Sequence, residues 1–258
     1  MSSRRSSRLS YDFQMSQFTV VTTADRPDVH EQFEEAFRSV WPELIFHDPV
    51  SKEYIGQVQS KFAEYDVTVM DDGFVVAGGW GVPLLWDGTI ANLPTGYDGA
   101  LVRSCSSEDT LAANTLSLMA IAVRAGYQGM GLSNLVITSL RARARDADVD
   151  AVIAPVRPTL KARYPLVPME RFAEWRRPDG AHIDPWIRIH ERLGARILVS
   201  APSSMVITGS VSEWEAWTGM AFPDSGSYVV PDALDLVVID READVGKYVE
   251  PNLWMQHF

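Results

Sequence analysis

The stretch from Leu118 to Ser133 constrains the fold more than any other part of the chain. Leu118 to Val123 is an unbroken run of small, β-branched and long aliphatic residues. It carries no charge on either face, as a strand buried on both sides requires. Gly126, Gly129 and Gly131 then mark a turn, and beyond it Leu132, Leu135, Val136, Ser139 and Leu140 fall at helical spacing. Strand, glycine turn and amphipathic helix in that order form an anion site. The first N–H groups of a helix lack partners inside it, and glycines let a phosphate approach them closely.

The spacing narrows the choice of phosphate ligand. A dinucleotide fingerprint needs Gly-x-Gly-x-x-Gly, but Asn134 stands where the third glycine belongs. A P-loop needs a lysine that the segment lacks. What remains is Gln128-Gly129-Met130-Gly131-Leu132-Ser133, which fits Gln/Arg-x-x-Gly-x-Gly/Ala with a small serine in the last place. With Val123 and Tyr127 before it, the segment resembles the coenzyme A pyrophosphate turn of the GNAT N-acyltransferase superfamily. An ordinary strand–turn–helix joint with packing glycines is the alternative reading of the same residues.

A second motif lies in the order that resemblance requires. Ile189-His190-Glu191-Arg192-Leu193-Gly194-Ala195-Arg196 is similar to the Phe-Tyr-Glu-Lys-Leu-Gly-Phe ending of the family's fourth helix. Asp184-Pro185 supplies a cap and first turn for such a helix, and Gly194 the residue just past its end. Around these motifs the pattern predicts a strand at Phe18-Thr19-Val20-Val21-Thr22 and a helix from Asp25-Arg26-Pro27, with Val29, Phe33, Ala36, Phe37 and Val40 on its apolar face. Pro42 ends that helix. A second helix is expected over Ser51 to Ala63, with Tyr54, Ile55, Val58 and Phe62 inward. Asp66 to Met70 and Phe74 to Leu85 read as a hairpin about Asp71-Asp72-Gly73, its second strand kinked or bulged at Gly78-Gly79-Trp80-Gly81. Residues 87–107 read as a long loop or mobile lid. After the organising helix come strands at Val149 to Ala154, Ile197 to Ser200 and Met205 to Thr208.

The expectation is therefore an α/β protein with a mixed central sheet flanked by helices. A disordered tail covers residues 1–16, and an acyltransferase domain covers 17–211. Residues 155–183 form an insert before the fourth helix, read as an ordered flap from its prolines and aromatics. Residues 212–258 form an extension studded with Trp214, Trp217, Phe222, Tyr228, Tyr248 and Trp254. It is expected to pack on the domain, though Tyr248 to Trp254 could instead cover a second subunit in a homodimer.

Composition limits the partners. The chain of 258 residues is 46% hydrophobic and 22% charged, a globular profile, and no apolar run reaches the roughly 18 residues of a membrane span. One cysteine, Cys105, excludes an internal disulfide framework and suits a reducing cytoplasm. Arg4, Arg5 and Arg8 precede no apolar run of the kind a secretory signal needs. Net charge is −11, with net −8 over residues 25–72, net −7 over 213–258 and net +4 over 141–177. Long acidic surfaces repel nucleic acid. The basic zone follows the glycine turn, so Arg141, Arg143, Arg145, Arg157, Lys161 or Arg163 could attract an anionic cofactor, or simply form a solvated face.

The resemblance implies acyl-CoA, acetyl-CoA above all, as co-substrate, no metal, and a small-molecule amine as acceptor. It implies that Gln128, Gly129, Met130, Gly131, Leu132 and Ser133 hold the diphosphate. Backbone groups of Ile121, Ala122 and Val123 would hold the pantetheine arm and polarise the thioester carbonyl. Where the family commonly carries a tyrosine that protonates the leaving thiolate, this chain has His190. In the last turn of a helix the dipole would raise its pKa and keep the acid form; a surface histidine without a role is the plainer reading. No residue stands out as general base. Asp184 reads as a cap, Glu170 and Glu174 as a solvated face, and Glu250 as a tail residue, while Trp186 and Tyr164 could line an acceptor pocket. Competing functions are a catalytically silent acyl-CoA-binding module, transfer from an acyl carrier protein, and a nucleotide binder.

Overall fold

A computed structural model of the protein describes residues 17–29, 32, 33, 35, 38, 40–106 and 112–258. The expected tail of residues 1–16, and Ala36 and Phe37 of the expected first helix, lie outside those residues.

The first four strands, β1 (Phe18–Thr22), β2 (Asp66–Asp71), β3 (Phe74–Leu84) and β4 (Thr115–Val123), run antiparallel, each beside the next. The β2–β3 turn places Asp72 at φ 44° and Gly73 at φ 87°, the left-handed pair that a two-residue hairpin demands. Helix α1 (Pro49–Lys61) starts two residues before the expected Ser51, because the Asp48 side chain accepts from Ser51 N at 2.6 Å and Pro49 fits its first turn. The glycine-rich part of β3 has a packing cause: a Cβ on Gly79 would stand 2.7 Å from the Ala120 carbonyl oxygen and 2.8 Å from Val136. The β3–β4 register shifts between Trp80 and Gly81, leaving Met119 as the extra residue of β4.

The expected loop at 87–107 is corrected by helix α2 (Tyr97–Cys105), which buries Ala100, Leu101 and Ser104. The Gly, Asp and Ser residues that suggested a loop continue into the helix itself, at Asp98, Gly99 and Ser104, and the helix is too short for its apolar face to repeat. Helix α3 (Leu132–Asp146) leaves the glycine turn and buries Leu132, Val136, Ile137 and Leu140. It leads to β5 (Ala151–Val156), which lies parallel to β4.

Residues beyond β5 contain helix α4 (Met169–Ala173) and an isolated bridge between Arg176 and His182. Helix α5 (Pro185–Arg192) begins at Asp184, whose carboxylate accepts from the Trp186 and Ile187 amides, and is followed by Gly194 at φ 91°. In place of the two strands expected next there is one, β6 (Arg196–Gly209); its register slips between Ala201 and Met205, so the chain bulges without leaving the sheet. Helix α6 (Val211–Thr218), β7 (Gly226–Tyr228), β8 (Val237–Asp240) and β9 (Val245–Gln256) complete the chain. Among the described residues the strands form one sheet in the order β1-β2-β3-β4-β5-β9-β8-β7, with β6 also paired to β9.

Two features of this sheet position the site. Strands β4 and β5 pair only from Thr115 to Ser117 and from Ala151 to Ile153, and then part. Pro155, which has no N–H to give a ladder, stands two residues past the last pair. Strand β9 runs between β5 and β6, so the end of the chain lies inside the sheet. Tyr248, Leu253 and Trp254, weighed above as cover for a second subunit, are buried within the chain itself. No helix among the described residues is long and apolar enough to cross a membrane.

Candidate active site

Where β4 and β5 part, β4 has a neighbour on one side only. Residues Ala120 to Val123 still pair with β3, so the alternate N–H and C=O groups of this stretch that face away from β3 open into the gap. A cavity of about 290 Å³ lies there, lined by Leu118 to Ile121 of β4 and by Ala154 to Val156 of β5. Of the three strand residues expected to hold a pantetheine arm, Ile121 lines the cavity, Val123 is half-buried and Ala122 is buried.

At the far end of β4 the glycine turn is solvent-facing. Gly126, Gly129 and Gly131 have φ of 90°, 80° and 83°, so each occupies the left-handed region. Open space surrounds Gly126 and Gly129, where an added Cβ would meet nothing within 4 Å. Among the described residues no protein acceptor takes the N–H of Gln128, Gly129, Gly131, Leu132 or Ser133. Met130 packs against the core from the same turn, and Leu132 is buried. The turn therefore presents donors at the start of a 15-residue helix, an arrangement that suits a diphosphate.

The basic zone beyond the turn is largely spent on the protein itself. Arg157 donates from Nε to the Glu250 carboxylate and from Nη2 to the Asp232 carbonyl, Arg141 donates to the Leu193 carbonyl at 2.7 Å, and buried Lys161 donates to those of Tyr164 and Leu234. Arg145 lies over the Phe258 ring, and Arg143 is 3.8 Å from Asp25. Arg145 and Arg163 are exposed and keep the solvated character expected of the set.

His190 lines the cavity from α5, but it is not a surface residue. Its ring is 1% exposed, stands edge-on to Trp186 at 4.6 Å, and places Nδ1 3.0 Å from Nε2 of His257. The expected rise in pKa is overturned. Burial, with His257 beside it, lowers the pKa to about 3, so the ring is neutral at pH 7. Loss of water costs the imidazolium more than the dipole of a helix of 8 residues returns.

Sequence reasoning missed the opposite wall. Glu250, set aside as a tail residue, is fully buried on β9 and lines the cavity together with Asn252. Arg157 Nε donates to both its oxygens, at 3.0 and 2.9 Å, and the Tyr248 hydroxyl and Asn252 amide donate at 3.0 and 3.3 Å. With its lone pairs so occupied, Glu250 supplies a fixed, compensated charge and no free base. Beside it, Trp41, Phe46, Trp80 and Tyr97 give the cavity aromatic walls. Of the residues weighed earlier for an acceptor pocket, Trp186 lines the cavity, whereas Tyr164 packs edge-on to Trp175 in the segment before α5. Glu170 accepts from Ser200, Glu174 pairs with Arg171, and Asp184 is the α5 cap. No sequence signal pointed to Glu250, because only the insertion of β9 brings it to the gap.

Comparison with known proteins decides the family. No family model matches the chain. It is 33% identical over 274 residues to arginine N-acetyltransferase avaD of Aspergillus versicolor, covering 93% of each protein. The chain belongs to the GNAT superfamily of N-acyltransferases. Its fold is that of other GNAT structures. The loading GNATL domain of CurA from Lyngbya majuscula superposes with a TM-score of 0.63 at 14% identity, over 93% of this chain and 96% of that one. The GphF GNAT-like decarboxylase, in complex with isobutyryl-CoA, gives 0.54 at 14% identity, over 72% and 89%. This GNAT protein is an N-acyltransferase.

Proposed function

We propose that the protein transfers an acetyl group from coenzyme A to an amine of arginine or of a small, arginine-like cation. The observation that carries the proposal is that β4 loses its β5 neighbour after Ser117 and leads on to a glycine turn with free donors. The groups of β4 that face away from β3 open into the gap. The N–H groups of Gln128, Gly129, Gly131, Leu132 and Ser133 meet no protein acceptor among the described residues, while those of Arg124 and Tyr127 between them are taken by the Val76 and Arg124 carbonyls. A diphosphate at Gln128 to Ser133 leaves the pantetheine arm to lie along Val123, Ala122 and Ile121, with the thioester in the cavity.

The acceptor amine attacks the thioester carbonyl carbon. A C–N bond forms, the oxyanion is stabilised by a β4 amide, and the C–S bond then breaks to release the thiolate. His190, whose Nδ1 lies 3.0 Å from Nε2 of His257, is among the residues lining the cavity that would hold that sulfur. The proton that the attacking nitrogen loses ends on the thiol. The choice of acceptor draws on the relative's name and on the cavity. The aromatic faces of Trp41, Trp80 and Tyr97 suit a cation. About 290 Å³ suits a small molecule.

A thiol-release assay with acetyl-CoA across a panel of amines tests this. Arginine and its close analogues should release thiol fastest, and amines without a second cationic group more slowly. Stabilisation by acetyl-CoA with no thiol release from any amine would contradict the proposal.

A further inference from the structure

Arg157 follows β5 directly and lines the cavity from the side opposite the free edge of β4. Its guanidinium is fixed by three contacts. Nε donates to both oxygens of Glu250 at 3.0 and 2.9 Å, Nη2 donates to the Asp232 carbonyl at 2.6 Å, and the group lies 6.0 Å from the centroid of the Trp41 ring. Glu250 is in turn held by the Tyr248 hydroxyl and the Asn252 amide, so neither member of the pair is free to turn.

These bonds leave part of the guanidinium unused. The group has N–H donors on three nitrogens in one planar fork. Among the described residues no protein group accepts from Nη1. The Arg157 side chain keeps 14% of its surface and that of Glu250 keeps none, so the pair presents its donor and hides its carboxylate. A fixed donor edge on a cavity wall suits an oxygen of the substrate. The charge of the wall points the same way. Arg38 and Lys52 also line the cavity and are exposed, while Glu250, the one carboxylate among the described lining residues, is taken by Arg157. Three cations against one carboxylate oppose a substrate with cationic groups alone and favour one that also bears a carboxylate.

We infer that Arg157 determines acceptor specificity by receiving a carboxyl oxygen of the acceptor, from a carboxylate or a carboxamide, at Nη1. The enzyme thereby prefers an amino acid, or its amide, to the amine that lacks this group. The inference rests on the acyl-transfer reading above and deepens it. With the carboxyl group held on the β5 side, the attacking nitrogen lies between that anchor and the thioester on β4.

Thiol release with acetyl-CoA tests this when amino acids are set against the amines that lack their carboxyl group, arginine against agmatine and lysine against cadaverine. Wild type should favour the amino acid by about tenfold to a hundredfold in kcat/KM, mainly through KM for the acceptor, as one charge-assisted hydrogen bond requires. Argininamide and lysinamide separate the two sources. Parity with the parent amino acid assigns the contact to a carbonyl oxygen, and a fall to the level of the amine assigns it to carboxylate charge. Arg157→Lys keeps a cation beside Glu250 but loses the planar fork. In that variant, shown to be folded by thermal melting, the preference should largely vanish while KM for acetyl-CoA is unchanged. Equal kcat/KM for amino acid and amine in wild type, or release with carboxyl-free amines alone, overturns the inference whether or not the variant folds. Full preference in folded Arg157→Lys overturns it too. No thiol release from wild type with any amine marks failure of the acyl-transfer reading instead.

Discussion

Asp98 stands in the first turn of α2 and Asp48 at the N-cap of α1. One oxygen of each is taken by a backbone N–H, that of Val206 at 3.1 Å and that of Ser51 at 2.6 Å. The other oxygen of each is buried without a donor. Two carboxyl groups so placed hold a proton between them: burial, then the Asp48 charge, pushes Asp98 up to about 8, and burial raises Asp48 as well. The folded protein thus keeps a proton that an unfolded aspartate releases near pH 3.9. The pair favours folding below that pH, and its contribution is lost as pH rises through about 8. Asp98→Asn preserves an acceptor for Val206 and adds a donor for Asp48. Thermal melts should therefore show the variant above wild type in Tm at pH 8, with the gap closing toward pH 4; an equal gap at both pH values would contradict a shared proton. At this scale the sequence was legible where a motif named a position. His190 could be placed from its distance to Gly194, but its neutral state comes from burial, with His257, 67 residues away, beside it, and no local pattern shows either.

Among the elements, those with strong local signals came through nearly residue for residue. Phe18–Thr22, Leu132–Asp146 and the Asp184-capped α5 each have a clear period, a cap or a terminal glycine. Helix α2 and the long β6 did not, because a helix of 9 residues shows little period and Pro202-Ser203-Ser204 reads like a break. The glycine turn is the element on which function hangs, and it separates strain from crowding. Gly129 has φ 80° with nothing within 4 Å of a would-be Cβ, so Gly129→Ala costs about 1–2 kcal/mol through backbone conformation and not through a clash. For a protein of this size that lowers Tm by only about 2–8 °C. The expected kinetic signature is a raised KM for acetyl-CoA, with kcat at saturation little changed. An unchanged KM would separate the turn from the diphosphate.

For the whole molecule, the decisive fact is the route of the last strand. β9 joins β5 to β6 and supplies Glu250, Asn252 and the approach of His257, so part of the extension expected to pack on the domain lies within its sheet. Strand order is set by pairings remote in sequence, which is why the composition of the extension showed that it would be buried but not where. Trp254 is 1% exposed and donates from its indole to the Pro94 carbonyl at 3.1 Å. Trp254→Ala should cost about 3–5 kcal/mol and lower Tm by about 10 °C, read by thermal melting, against little change for an exposed extension residue such as Val238. The central claim is that the free edge of β4 past Ser117 and the glycine turn at Gln128 to Ser133 together hold coenzyme A. Hydrogen–deuterium exchange with and without acetyl-CoA tests it most directly: slowed exchange is expected at both Leu118–Val123 and Gln128–Ser133, and bound acetyl-CoA that leaves these two segments unprotected would contradict it.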